Sequence, residues 1–192
     1  MPGLSKLAGH VPADEPARPR DVDAHPVHHA DVEKTLYLLR HLKSSWDDPA
    51  IPDRDRPLAP RGRKAGKKLA RHLRDRDVAP ELVLCSPAIR ARETLDAVRS
   101  ALGEPEVRFD ERLYAASERE LLDVLRGVDF GVGSVLVIAH NPGLEDLAAG
   151  LSGVAREKFP TGALATLAFE CVWSELQPDS CELTGFVVPR EL

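Results

Sequence analysis

Apolar residues fall into short continuous runs and helically spaced stripes from about position 35 onward, and into neither before it. Thr35-Leu-Tyr-Leu-Leu39 is an unbroken run with a β-branched and an aromatic member, which predicts a strand buried on both faces. Ser134-Val-Leu-Val-Ile-Ala139 is the clearest strand of the chain, and Glu81 to Ser86 reads the same way. Val107–Phe109, Ala163–Phe169 and Leu183–Val188 are shorter candidates, the last of them suited to a sheet edge. Between these runs the period changes. Ala65, Leu69 and Leu73 form one stripe of a helix over Arg61–Arg76, and Leu121, Leu122 and Leu125 one of a helix over Glu118–Arg126. Leu144, Leu147, Ala148 and Leu151 make the inner face of a helix that follows Asn141-Pro142-Gly143. Pro87 predicts the first turn of a further helix running to about Leu102. Pro49, Pro52 and Pro57 forbid a long regular element between Leu42 and Pro60, so that segment is a loop over the end of the first strand.

Strands alternating with helices predict an α/β fold: a mainly parallel central sheet with helices on both faces and right-handed crossovers. The chain from Met1 to Lys34 has no period that could bury a face, which predicts a flexible leader before one domain over 35–192. His25, His28 and His29 in that leader have no acidic or cysteine partner at a ligand-like spacing, and no function is assigned to them.

Composition narrows the partners more than the fold. Thirty-one acidic against twenty-six basic residues give a net charge of -5, and only 5% of residues are aromatic. Neither broad attraction to nucleic acid or anionic lipid nor a stacking platform for single strands is expected. Cys85, Cys171 and Cys181 include no C-x-x-C pair, so a disulfide framework or structural zinc is not predicted and a reducing compartment fits. With no apolar stretch of about 18 residues and no signal-like opening, the expected location is the cytoplasm. The basic residues are unevenly placed, however. Eight of them lie between Arg61 and Arg76 with a single acid, Asp75; a solvated face is the favoured reading, docking of an acidic partner the other.

In an open α/β sheet, ligands bind beyond the carboxyl ends of the strands. The first strand delivers Arg40 and His41 there, the second leads to Ser86 and Arg90, and the Ser134–Ala139 strand delivers His140. Two guanidiniums, two imidazoles and a helix start predict a site for a tetrahedral anion, a phosphoryl group. A neutral imidazole directed at phosphorus can act as nucleophile while arginines neutralise the phosphoryl oxygens. No G-x-x-x-x-G-K-[ST] motif and no acidic cluster stands at the strand ends, so nucleotide and Mg²⁺ binding lack support. Helix capping is enough to explain Ser86, and Arg92 is expected to face away from Arg90.

Leu39-Arg40-His41 after the first strand, Ser86-Pro87-Ala88-Ile89-Arg90-Ala91-Arg92-Glu93-Thr94 after the second, and His140-Asn141-Pro142-Gly143 together resemble the histidine phosphatase superfamily. Within it, the Arg40–Trp46 segment, Leu113-Tyr114 and Pro160-Thr161-Gly162-Ala163 look like the SixA-type phosphohistidine phosphatase branch. The resemblance implies a phosphoglycerate mutase-like fold, His41 as nucleophile, a phosphate pocket of Arg40, His41, Arg90 and His140, and neither metal nor organic cofactor. It implies a phosphorylated protein or a small phosphorylated molecule as partner. Leu42 stands where the broader superfamily usually carries glycine, and its bulk predicts a narrower pocket.

The proton donor separates the substrate classes. An alkoxide is a poor leaving group and wants a carboxylic acid beside it, whereas the imidazole of a phosphohistidine leaves from a labile P–N bond. Glu111 is similar in position to the acid of the mutase-like branch, and equally fits a surface charge between Asp110 and Arg112. The expected function is therefore phosphohistidine hydrolysis on a protein. A small-metabolite phosphomonoesterase with Glu111 as acid, and a non-catalytic phospho-ligand binding module, are the alternatives. Lys43, Ser44 and Trp46 are further candidates for contact with the leaving group, and Thr161 resembles a family position near the pocket while equally fitting an ordinary Pro-Thr-Gly turn.

Overall fold

The computed structural model describes residues 33–154 and 158–192; the predicted leader, with its three histidines, lies outside the described residues except for its last two positions. Ten elements follow the order the apolar pattern predicts: β1 (Lys34–Arg40), α1 (Pro60–Asp75), β2 (Leu82–Cys85), α2 (Ile89–Val98), β3 (Glu106–Phe109), α3 (Glu118–Arg126), β4 (Ser134–Ala139), α4 (Gly143–Ser152), β5 (Leu164–Phe169) and β6 (Glu182–Val187). The six strands form one sheet in the order β3-β2-β4-β1-β5-β6. Pairing is parallel from β3 through β1, while β5 is antiparallel to both β1 and β6, so β5 alone runs against the others. The last strand is at an edge, as expected.

Each central strand divides its apolar run between two cores because successive side chains point to opposite faces. Leu36, Leu38, Leu82, Leu84, Val135 and Val137 pack with Leu121, Leu125, Leu144 and Leu147 of α3 and α4. Leu39, Val83, Cys85, Leu136 and Ile138 pack with Leu69 and Leu73 of α1 and Leu95 and Val98 of α2. Ser117 and Glu120 close a reciprocal capping box at the start of α3, the Ser117 amide donating to the Glu120 carboxylate at 2.8 Å.

Several boundaries differ from expectation by a residue or more, and two of them have a physical reason. The helix after β2 is shorter than predicted: Pro87 precedes it, Ala88 is its N-cap, and a 3-10 turn over Arg99–Ala101 replaces its last turn. The sheet also begins one residue earlier than Thr35. The Lys34 ammonium is buried and donates to the carbonyls of Phe130 and Val132 at 2.8 and 2.9 Å, which a charge in a leader would not signal. Among the described residues no helix is long and apolar enough to cross a membrane.

Candidate active site

β1 ends at Arg40, and its last turn of chain is held from both sides. The His41 amide donates to the carbonyl of Ala139 at the end of β4, and the Gly162 amide donates to the carbonyls of Arg40 and His41. Gly162 has φ +80°, a conformation open to glycine at no steric cost. Gly62, in the first turn of α1, lies so close that a Cβ there would be 2.3 Å from the carbonyl oxygen of Lys43. The backbone after His41 is thus clamped between a helix start and a turn. Leu42 is fully buried between them, its methyls against Gly66 and Gly162. It fills the space under the turn after β1 and, with no exposed surface, does not line the pocket, which corrects the expectation from its bulk.

His41 is buried, and its Nδ1 lies 2.7 Å from the carbonyl oxygen of Leu42. A carbonyl only accepts, so Nδ1 carries the proton and Nε2 keeps its lone pair. Arg90 Nε–H donates to that Nε2 at 3.3 Å. Thr94 fixes this arrangement from α2: its hydroxyl donates to the carbonyl of Arg90 at 2.6 Å and accepts from the Leu42 amide at 3.0 Å. His140 faces His41 with ring centroids 4.9 Å apart, and its Nε2 lies 2.8 Å from the Ser86 hydroxyl. Ser86 therefore orients His140. Its contact with the Ala88 amide, at 3.4 Å, is at the limit of a hydrogen bond, and the capping account is superseded.

Burial and the positive neighbours keep both rings neutral. Desolvation is the larger cause in each; with Arg90 and Arg40 beside it, it pushes His41 down to about 4, against the raising effect of the Leu42 carbonyl. His140 goes to about 3 through burial, His41 and Arg90. A base with a depressed folded pKa binds fewer protons than the unfolded chain, so stability rises with pH across the interval between the two values. For the phosphate-free protein this contribution is complete above about 6.5 and is lost as the pH falls toward 4 and then 3. The urea midpoint is expected to decline over that window in the wild type and to decline less in His140→Gln; equal slopes would contradict the assignment.

Four predicted residues are brought together. Arg40 Nη1 donates to the Phe159 carbonyl at 2.6 Å, while Arg40 Nε and His140 Nδ1 are buried without a partner. Buried donors left unpaired are costly, and an anion is the class of ligand that would supply the Arg40 guanidinium with an acceptor. Glu111 is not part of the cluster. Its carboxylate, 70% exposed, pairs with Arg54 at 2.6 Å. The reason is local: Asp110 caps the 3-10 turn by accepting from the Arg112 amide, which leaves Glu111 on the outer side.

The carboxylate that does enter is Asp53, from the loop after β1. Its Oδ2 accepts from Arg90 Nη2 at 2.9 Å and from the Tyr114 hydroxyl at 3.0 Å, and its carbonyl accepts from Arg90 Nη1. Partial burial works to raise this carboxyl, but the Tyr114 bond and the Arg90 charge outweigh it and hold the group below its ordinary range. Arg56, itself buried, braces the loop: it pairs with Asp53 Oδ1 at 2.9 Å, donates to the Ser44 hydroxyl and the Ser45 carbonyl, and stacks on Trp46. Arg92 faces away, as expected, lying over the Phe109 ring. Among the described residues no group of three or more His, Cys, Asp or Glu has metal-holding geometry.

A family profile for the histidine phosphatase superfamily, branch 1, matches residues 36–120. The chain is 36% identical over 162 residues to an uncharacterized protein of Mycobacterium tuberculosis, covering 79% of this chain and all of that one. It is 32% identical over 139 residues to the Escherichia coli phosphohistidine phosphatase SixA, covering 70% and 85% of the two. A Nakamurella multipartitia structure bearing the SixA phosphohistidine phosphatase name superposes with a TM-score of 0.73 at 28% identity, over 82% of this chain and 96% of that one. The six-stranded sheet is thus that of a phosphatase fold, and the chain belongs to the histidine phosphatase superfamily. Within that superfamily it falls in the SixA-like branch.

Proposed function

We propose that the protein hydrolyses phosphohistidine on a protein substrate, without a cofactor, through a phosphohistidine on its own His41. The lone pair of His41 Nε2 forms a bond to phosphorus as the P–N bond to the substrate imidazole breaks. That imidazole leaves with the bonding pair and takes a proton from solvent. Arg40, Arg90 and His140 hold the phosphoryl oxygens throughout. Water then attacks phosphorus as the His41 N–P bond breaks, the bonding pair returning to Nε2 and the water's proton passing to solvent, and phosphate departs.

The observation that carries this reading is the state of the two carboxylates. Asp53, which touches Arg90, is held ionised, and Glu111 is turned to solvent against Arg54. Neither is a proton donor for an alkoxide, and a phosphoramidate needs none. The wild type is expected to hydrolyse a phosphoramidate faster than an alkyl phosphate by about 10²-fold or more in kcat/KM, a typical general-acid contribution. Glu111→Gln is expected to change neither rate by more than about twofold, the scale of a surface substitution. Loss of alkyl phosphate turnover alone in Glu111→Gln would transfer the reading to a phosphomonoesterase with Glu111 as acid.

A further inference from the structure

A second feature of the carboxyl edge plays no part in the phosphoryl chemistry. Beside the catalytic turn lies a trough of about 530 Å³ between the first half of α1 and the turn that follows β6. Its floor is apolar, made by Ala65, Pro160, Val188 and Pro189, and no acidic side chain lines it. Its charges are Lys43, two residues after His41, with Arg61, Lys64 and Lys68 of α1 and Arg190. Thr161, adjoining the Gly162 amide that holds the His41 carbonyl, joins the trough to the site.

The placement of these cations works against the helix. Arg61, Lys64 and Lys68 lie at i, i+3 and i+7, so like charges are stacked along one face. They begin at the positive end of the helix dipole, where the first turn holds no acid and the N-cap makes no side-chain bond. Among the described residues Arg61, Lys64 and Lys43 make no ion pair; Lys68 reaches only the Leu192 carbonyl oxygen at 3.2 Å, and Arg190 the adjacent Glu191 at 3.4 Å. A cost in helix stability so little compensated within the chain points to an external counter-charge.

We infer that this trough docks an acidic, extended segment of the protein substrate next to its phosphorylated residue. The inference rests on the proposed protein phosphohistidine substrate and adds what flanks it. A second phosphate group is the poorer occupant, because tight phosphate clamps use convergent, desolvated donors, whereas the three α1 cations are exposed and spread over about 10 Å of helix. That spread suits several carboxylates along an extended chain lying on an apolar floor.

The test uses the full chain and the variant Arg61→Glu/Lys64→Glu/Lys68→Glu, with circular dichroism and Tm confirming its fold. Two phosphohistidine peptides serve as substrates, one flanked by Asp and Glu and one by Ser and Gly, with a small phosphoramidate as reference. The wild type is expected to prefer the acidic peptide by at least about tenfold in kcat/KM at low salt, a preference that shrinks at high salt. The variant is expected to lose that preference and keep phosphoramidate turnover. Equal use of both peptides by the wild type, or an unchanged preference in the variant, overturns the inference. A wild type inactive on phosphoramidate and peptide alike overturns the functional reading instead. The trough is then tested by fluorescence anisotropy with the labelled, unphosphorylated acidic peptide, where salt-sensitive binding lost in the variant is the expected result and equal binding by the two proteins the contrary one. Tighter binding of a single-stranded oligonucleotide than of that peptide would also overturn it.

Discussion

Replacing His41 by alanine is expected to lower kcat on a phosphoramidate by at least about 10⁴-fold and to remove the acid-labile, phosphatase-incorporated label from quenched enzyme, as expected for loss of a covalent nucleophile. The size follows from geometry. His41 Nδ1 is committed to the Leu42 carbonyl, which leaves Nε2 as the lone-pair atom, met only by the long 3.3 Å contact from Arg90 Nε, in a ring kept neutral by burial and by its cationic neighbours. His140 is a poor substitute because its Nε2 lies 2.8 Å from the Ser86 hydroxyl, a closer contact than the 3.3 Å one on His41 Nε2. Burial of Leu42 under the turn after β1, with Gly62 and Gly162 closing on the same backbone, holds the turn independently of the imidazole, so the variant is expected to remain folded. Phosphate binding retained by His41→Ala, measured by calorimetry, would separate loss of chemistry from loss of the pocket. Turnover that survives the substitution would point to a different nucleophile, and wild-type protein that binds phosphate without turnover to a binding module.

The second large effect is expected at Arg90. Arg90→Ala should cost about 10²- to 10³-fold in kcat/KM, the scale of a lost oxyanion donor in a desolvated site. Arg90→Lys should recover little of it, since an ammonium cannot offer the guanidinium's rigid fork. Arg90 is buried and meets three partners at once: His41 through Nε, and the side chain and backbone of Asp53 through its two terminal nitrogens. Removing it takes a positive charge from the phosphoryl position and releases the loop that carries Asp53. A loss smaller than about tenfold would mean that Arg40 and His140 hold the phosphoryl group by themselves.

Most of the sheet was legible because its buried strands are written as apolar runs and its helices as stripes. The four strand-end residues were legible because topology alone puts the carboxyl ends of β1, β2 and β4 side by side. What could not be read were contacts made through space. Asp53 is one of four acids in a proline-broken loop, with Asp47, Asp48 and Asp55, and nothing local distinguishes the one that reaches Arg90. Glu111 and Asp110 are neighbours whose directions are set by a single turn of 3-10 helix. Thr94 and Ser86 were visible as motif members, but their bonds to Leu42 and His140 join elements far apart in sequence. The basic helix was legible as charge; that it borders an apolar trough required β6 and its following turn to be placed.

The Asp53 carboxylate also bears on what the pocket ignores. An open cluster of two arginines and two imidazoles would fill with free orthophosphate, which carries the same oxyanion as the substrate. Here the two terminal nitrogens of Arg90 are already paired with the side chain and backbone of Asp53, so a phosphoryl group that binds Arg90 through them competes with a carboxylate of the same chain, and every such ligand's intrinsic affinity is divided by the same factor. A ligand that brings further contacts of its own offsets that factor; bare phosphate has none to bring. Such a tether lowers the affinity for bare phosphate and for substrate alike, and the substrate's other contacts are what restore its binding.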